Sequence, residues 1–332
     1  MSDLTAGTLS ELAIIRRSGM IESRHFGSLL AFAADGTVAL ELGTPDVEVL
    51  PRSTVKPLQA MACLEAGADL SGPELAIAAG SHTGEDAHVA VVSAILERAG
   101  LDEHALGCPV DRPEDEATFE RMIRDGEGRN RLRMNCSGKH AAMLLACAVN
   151  GWSTTDYLDP SHPLQQQVQK TMAEMTGVPA SHTAVDGCGA PLFGTTVRGV
   201  AASFRSLVVA DPVSAAGRVA AAMREYPFYV GGSGHANSEL MNNLPGALSK
   251  GGAEGVIGVA TKDGASVSMK IIDGSPRATT IIALAVLGSL GYDTAAAAAF
   301  AEVPILGGGI PVGQIEVGAD LRDAMSAGRA SL

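Results

Sequence analysis

The chain is short of aromatic residues, of lysine and of paired cysteines, and each shortage narrows what it can do. Aromatic side chains make up 4% of 332 residues, with one tryptophan, so no stacking platform for bases or sugar rings is expected. The formal charge is −13, from 24 basic against 37 acidic side chains. Phosphate binding needs a basic surface, so nucleic acid is not the expected partner. Apolar stretches are broken by glycine, serine or charge well before membrane-spanning length, which argues against a membrane protein. Met1-Ser2-Asp3-Leu4-Thr5 has no basic segment followed by an apolar run, so no secretory signal is expected. Five cysteines are an odd number and lack paired short spacings. No disulfide framework is expected, and a reducing compartment suits the chain. A soluble, cytoplasmic protein acting on a small polar molecule is the expectation.

What is present is a well-buried globular chain, 46% hydrophobic and 18% charged. Strand patterns come first: Ala13–Arg17, Glu22 to Phe32 and Thr37 to Leu42, with Ala34-Asp35-Gly36 as a hairpin turn. From Ser53 the pattern turns helical, with helices expected over 54–66, 85–98, 114–125, 138–150, 163–176, 192–203, 212–225 and 238–244. The run Leu75-Ala76-Ile77-Ala78-Ala79 reads as strand-like. Strand character returns at 255–260 and 266–272. A helix over 277–289, an alanine-rich segment over 294–301 and a last strand over 314–317 close the chain. Strands at both ends and helices between them predict an α+β fold: one sheet built from both termini, flanked by helices, with a helical middle lobe. The sheet-rich parts fall near 10–50 and 253–320, the helical part near 54–250. No repeat or linker is visible, so residues 1–332 are expected to form one catalytic unit.

The chain has six lysines, at positions 56, 139, 170, 250, 262 and 270, and Ser53/Lys56 is its only Ser-x-x-Lys. Residues three apart on a helix share a face, so Lys56 can reach Ser53 there. A serine hydroxyl is a weak nucleophile until a base is held against it. The plain alternative is that Ser53 caps the helix and Lys56 lies in solvent. Gly80-Ser81-His82-Thr83-Gly84-Glu85-Asp86 is a second candidate, a tight turn that exposes Ser81 or merely caps the next helix. Cys63 and Cys147 lie in apolar helical stretches and read as core. Cys136 and Cys188 sit in polar, glycine-rich loops where function tends to lie. With Lys139 or His140 these thiols can bind Zn²⁺, although the spacing is not that of a zinc finger. Lys270, in a late apolar strand before Asp273-Gly274, suits base work if its amine is buried, and edge protection otherwise.

Taken together, Arg52-Ser53-x-x-Lys56, Ser81-His82-x-Gly84-Glu85, Asn135-Cys136-Ser137-Gly138-Lys139-His140, Asp186-Gly187-Cys188-x-x-Pro191, Gly252-Ala253-Glu254-Gly255-Val256 and Lys270-x-x-Asp273-Gly274 resemble the L-asparaginase II family of the rhizobial type. The motifs recur in order over about residues 10–280. The resemblance implies hydrolysis of L-asparagine to L-aspartate and ammonia on a fold similar to serine β-lactamases and penicillin-binding proteins. It implies two Ser–Lys tandems, Ser53 with Lys56 and Ser81 with Lys270. It implies zinc on Cys136, Lys139 and Cys188, and Arg52, His140 and Asp186 near the substrate. A homodimer is expected. The chain departs from the pattern at His235-Ala236-Asn237, where an arginine is expected after the glycine-rich loop. The alternatives left open are a glutaminase, a β-lactamase-like serine hydrolase, and a non-catalytic zinc or amino-acid-binding protein of the same fold.

Overall fold

A computed structural model describes residues 5–329, so residues 1–4 of the N-terminal stretch read above lie outside it. The described chain groups into two compact units. One holds the residues up to 54, 195–209 and those from 239 onward; the other holds 55–194 and 210–238.

The first unit carries an eight-stranded antiparallel sheet. Its strands run in the order Ile305–Gly307, Ile310–Val317, Ser10–Arg17, Met20–Phe32, Ser266–Ile271, Val256–Ala260 and Leu248–Gly252, and Val38–Leu42 also pairs with Met20–Phe32. Strands from both ends of the chain therefore share one sheet, and the α+β expectation holds. Met20–Phe32 is long enough to pair with Ser10–Arg17 over its first half and with Ser266–Ile271 over its second. Side chains alternate along it. Leu29 and Ala31 enter the main core with Ile257, Met269, Ile282 and Leu287, while Leu30 turns to Val49, Val197 and Ala201. Each such leucine contributes roughly 1.5–3 kcal/mol on burial. Helix Val197–Val209 lies on the sheet. It comes close because Gly258 has no side chain, and a Cβ there would stand 2.5 Å from the Phe204 ring.

The second unit is helical. Helix Ser137–Asn150 is buried at every residue from Ser137 to Cys147, as a helix surrounded by others must be. Helices Lys56–Glu65, Gly72–Ala78, Asp86–Arg98 and Pro163–Thr176 pack around it. Gly138 admits the 72–78 helix, since a Cβ there would meet the Ile77 carbonyl at 2.7 Å.

Three expectations change. The strand-like run 75–79 belongs mostly to helix Gly72–Ala78, which Pro73 in its first turn initiates. Ser53 does not open an α-helix: Arg52–Val55 is a 3₁₀ turn and the helix begins at Lys56. The expected helix over 192–203 begins only at Val197, after the short strands Pro191–Phe193 and Thr195–Thr196. Strand Leu248–Gly252 and helix Ala319–Arg329 had no counterpart in the sequence reading. Among the described residues no helix is long and apolar enough to cross a membrane.

Candidate active site

Lys56 begins its helix completely buried, and its amine is spoken for. Nζ lies 2.6 Å from the Gly80 carbonyl, 2.8 Å from Ser81 Oγ and 3.3 Å from the Asn135 carbonyl. An ammonium fills all three contacts as donor. A neutral amine fills them too, with two N–H groups on the carbonyls and its lone pair on the Ser81 O–H.

The turn bearing Ser81 is fixed on both sides. Ser81 N–H donates to the Val230 carbonyl at 2.9 Å, Thr83 N–H to Gly231 at 2.7 Å, and His82 N–H to Asn135 at 3.1 Å. Gly80 permits this approach, because a Cβ would stand 2.6 Å from the Tyr229 carbonyl. Glu85 clasps the glycine-rich loop: Oε1 accepts from Thr83 Oγ1 at 2.8 Å and from Ser233 N–H at 2.9 Å, and Oε2 from Ser233 Oγ at 2.9 Å. His82 is buried and neutral. Its Nδ1 accepts from Gly84 N–H at 3.2 Å, and its Nε2 lies 2.9 Å from Ser137 Oγ, which itself donates to the Leu132 carbonyl. Burial, then His88 and Lys56, hold it well below the ordinary histidine range.

The two loop cysteines meet at the start of helix Ser137–Asn150. Cys136 precedes the helix, Lys139 lies in its first turn, and Cys188 follows the strand Thr183–Val185 in a turn closed by Gly189 N–H on Asp186 at 2.8 Å. Lys139 Nζ is 3.1 Å from Cys188 Sγ, which lies 3.6 Å from Asp186 Oδ2. Cys136 and Cys188 share a hydrogen bond that splits them. It brings Cys188 down to about 5 against the effect of burial, with help from Lys139. The same bond, with burial, pushes Cys136 up to about 12. Burial alone would lower the Lys139 amine, but the Cys188 and Cys136 sulfurs outweigh it and hold the amine above its ordinary range.

This donor set fits a soft divalent metal. Among the described residues no group of three or more His, Cys, Asp and Glu is gathered for one, so a metal here depends on Lys139 as the third ligand. Zinc bonds of about 2.3 Å to sulfur and about 2.0 Å to nitrogen set tetrahedral donors roughly 3.5 Å apart. The 3.1 Å between Lys139 and Cys188 needs to open only by a few tenths.

His140 is completely buried next to this cluster, with Nδ1 2.6 Å from Tyr157 Oη and Nε2 without a hydrogen-bond partner. Burial, then Lys139, push it down to about 3, so it is neutral.

The remaining expected residues lie in the sheet-bearing unit. Arg52 takes φ 53°, a left-handed backbone that costs about 1–2 kcal/mol in a non-glycine residue, directly before Ser53. Such strain is a mark of functional turns. The turn rests on the strand Leu248–Gly252, where a Cβ at Gly252 would meet Thr54 Oγ1 at 2.7 Å. Ser53 itself is half-buried. Arg52 reaches Glu254 at 3.7 Å. Ser81 and Lys270, the second expected tandem, fall in different units. The Ser81 hydroxyl is on Lys56, whereas Lys270, half-buried at the end of its strand, donates to the Glu254 carbonyl. The lysine that the sequence reading passed over is Lys250, completely buried on Leu248–Gly252 and donating to the Gly251 carbonyl at 2.5 Å. Its signal was a lysine in an apolar stretch followed at once by Gly251-Gly252. Tyr157 was missed as well, because nothing local marks it.

The chain belongs to the L-asparaginase II family, a family of amidohydrolases, whose model matches residues 13–317. The resemblance read from the motifs is thereby borne out. Among solved structures, a β-lactamase from Mycobacterium bovis is 16% identical, with 80% of this chain and 94% of that one covered and a TM-score of 0.44. A mutant of a Streptomyces K15 DD-transpeptidase is 15% identical, with 79% and 95% covered and a TM-score of 0.41. No curated protein gives a match.

Proposed function

We propose that the chain hydrolyses L-asparagine to L-aspartate and ammonia through a serine ester. The observation that carries this reading is Lys56, a buried amine held by two carbonyls and a serine hydroxyl. Among the described residues no carboxylate pairs with it. Such an amine has no structural counter-ion to serve and is placed to take a hydroxyl proton. The alkoxide attacks the side-chain amide carbon, the C–N bond breaks as the nitrogen takes a proton and leaves as ammonia, and water then cleaves the ester.

Two serines are candidates for the attack. Ser53 precedes Lys56 by three residues, behind a strained Arg52. Ser81 is favoured by its 2.8 Å contact with the amine. In the first case Ser81 relays the proton; in the second it is the nucleophile. We retain Ser53 as the primary assignment because the strain beside it has no other evident purpose. Ser53→Ala and Ser81→Ala, assayed for ammonia release from asparagine and glutamine, decide between them. The attacking serine loses on the order of 10⁴-fold or more in kcat, and full activity in both variants ends the proposal.

We further propose Zn²⁺ on Cys136, Lys139 and Cys188, with Lys139 neutral in that state. When bound, it supplies positive charge and Lewis acidity beside the substrate. His140 and Asp186 border that cluster, and with Arg52 they remain the proposed substrate contacts. Elemental analysis is expected to find about one zinc per chain in the parent and none in Lys139→Met. A parent protein without zinc refutes the site.

A further inference from the structure

Every hydrogen atom around Tyr157 can be assigned. Its hydroxyl is buried, and the Gly107 backbone N–H donates to it at 2.8 Å. Gly107 has no side chain to block the approach, and a Cβ there would stand 2.9 Å from that oxygen. Among the described residues its one other hydrogen-bond partner is His140 Nδ1, at 2.6 Å, with the rings edge-on at 86°. A phenol has one proton to give. With Gly107 already donating, that proton has only His140 Nδ1 to go to, and Nδ1 must accept. An imidazole whose Nδ1 accepts carries its one proton on Nε2.

That N–H is completely buried and has no acceptor. A desolvated donor without a partner is costly, and a buried one is ordinarily met by a water, an ion or a ligand. The place supports a ligand. His140 lies one helical turn beyond Cys136, with its own N–H on the Cys136 carbonyl at 3.1 Å, so both share a face at the start of the 137–150 helix. Lys139 is the adjacent residue.

We propose that Tyr157 is a positioning residue that holds His140 as the Nε2–H tautomer, and that this N–H donates to a carboxylate oxygen of the bound amino acid. The proposal rests on the reading of this cluster as the substrate site, and it extends that reading to the hydrogen-bond polarity of one contact. His140 acts as a donor there, not as a metal ligand through Nε2 and not as a base. The carboxylate is favoured over a neutral acceptor by the first turn of a 14-residue helix, whose backbone N–H groups add positive potential.

The test is ¹⁵N NMR of the histidine side chains in the full chain, without ligand and with L-aspartate, joined to steady-state ammonia release from L-asparagine. Ligand-free parent protein is expected to show the His140 proton on Nε2, and L-aspartate is expected to shift that resonance. Tyr157→Phe keeps the ring but removes the donor; it should mix the two tautomers and raise KM roughly tenfold, with kcat changed less than about threefold. His140→Gln, which keeps a donor at the far end of the side chain, should recover part of the KM that His140→Phe loses. A proton found on Nδ1 in the parent overturns the proposal, as does a Tyr157→Phe enzyme with mixed tautomers and an unchanged KM. A chain that releases no ammonia from asparagine while its Nε2–H still responds to aspartate overturns the assigned reaction and leaves the donor standing.

Discussion

Replacing Lys56 by methionine separates a catalytic amine from a structural one. Methionine fills nearly the same volume and cannot take a proton. Three contacts disappear, to Gly80, Asn135 and Ser81. The Asn135 carbonyl keeps the His82 N–H, so at most one strong acceptor is stranded, at a cost of about 1–3 kcal/mol. Against that, the fold no longer buries an amine, a relief of similar size. Net stability therefore stays within about 2 kcal/mol of the parent, and the melting temperature within about 5 °C. Catalysis has no such compensation: loss of a positioned general base costs about 10²–10⁴ in rate. The measurements are ammonia release per folded molecule and a thermal melt of the same sample. If Lys56→Met kept kcat within about tenfold of the parent while melting more than about 10 °C lower, the amine would be a structural tie and the mechanism above would fall.

Acid should destabilise the fold through its buried imidazoles. His140 and His82 both lie below the ordinary value of 6.5, chiefly through burial, His140 at about 3. The fold favours their neutral forms, so their contribution is complete above pH 6.5 and, for His140, is lost as the pH falls toward about 3. For His140 the slope is about 1.4 kcal/mol per pH unit in that window. Denaturant titrations across it should show His140→Gln shallower than the parent by about one proton, and equal slopes would mean that burial imposes no penalty there. Gly232 is the second case, with φ +129° and a would-be Cβ 1.9 Å from Thr83 Oγ1. Gly232→Ala should cost roughly 2–4 kcal/mol. Glu85→Gln, which weakens the clasp on Ser233 and Thr83, should cost roughly 1–2 kcal/mol. The reverse order in denaturant melts would show that the clasp, not the backbone, sets the loop.

The parts of the fold that could be read in advance are those with local causes. Helix Pro163–Thr176 falls where expected because Pro163 opens it and Gly177, at φ 69°, closes it. The sheet between the termini was legible from period-two runs at both ends. Helix Gly72–Ala78 was misread because a short run buried on every side has no period to show. The helix misplaced over 192–203 fails for a related reason, since 191–193 and 195–196 are wholly buried strands. At the site, chemistry was legible and partnership was not. Ser81 and Lys56 were singled out separately, but a contact spanning 25 residues leaves no trace in spacing. Lys270 stood out for its apolar strand and the Asp-Gly turn after it, while Lys250 lay unnoticed in the less apolar strand Leu248–Gly252.

Two buried lysines in the helical unit show how differently one residue type can be stabilised. Lys139 is matched by sulfur: the Cys188 thiol is brought down beside it, and the amine is held above its ordinary range. An amine held charged in this way is a poor base. Lys56 has neutral oxygens alone, two carbonyls and one hydroxyl, and its side chain is completely buried. For that amine the charged and uncharged forms differ little in hydrogen bonding, so a proton can move between it and a serine without breaking a contact. Proton transfer at the one and charge neutralisation at the other are therefore distinct jobs, and exchanging their surroundings would exchange their chemistry. A carboxylate introduced beside Lys56 would give that amine a counter-ion, and the serine would lose its base.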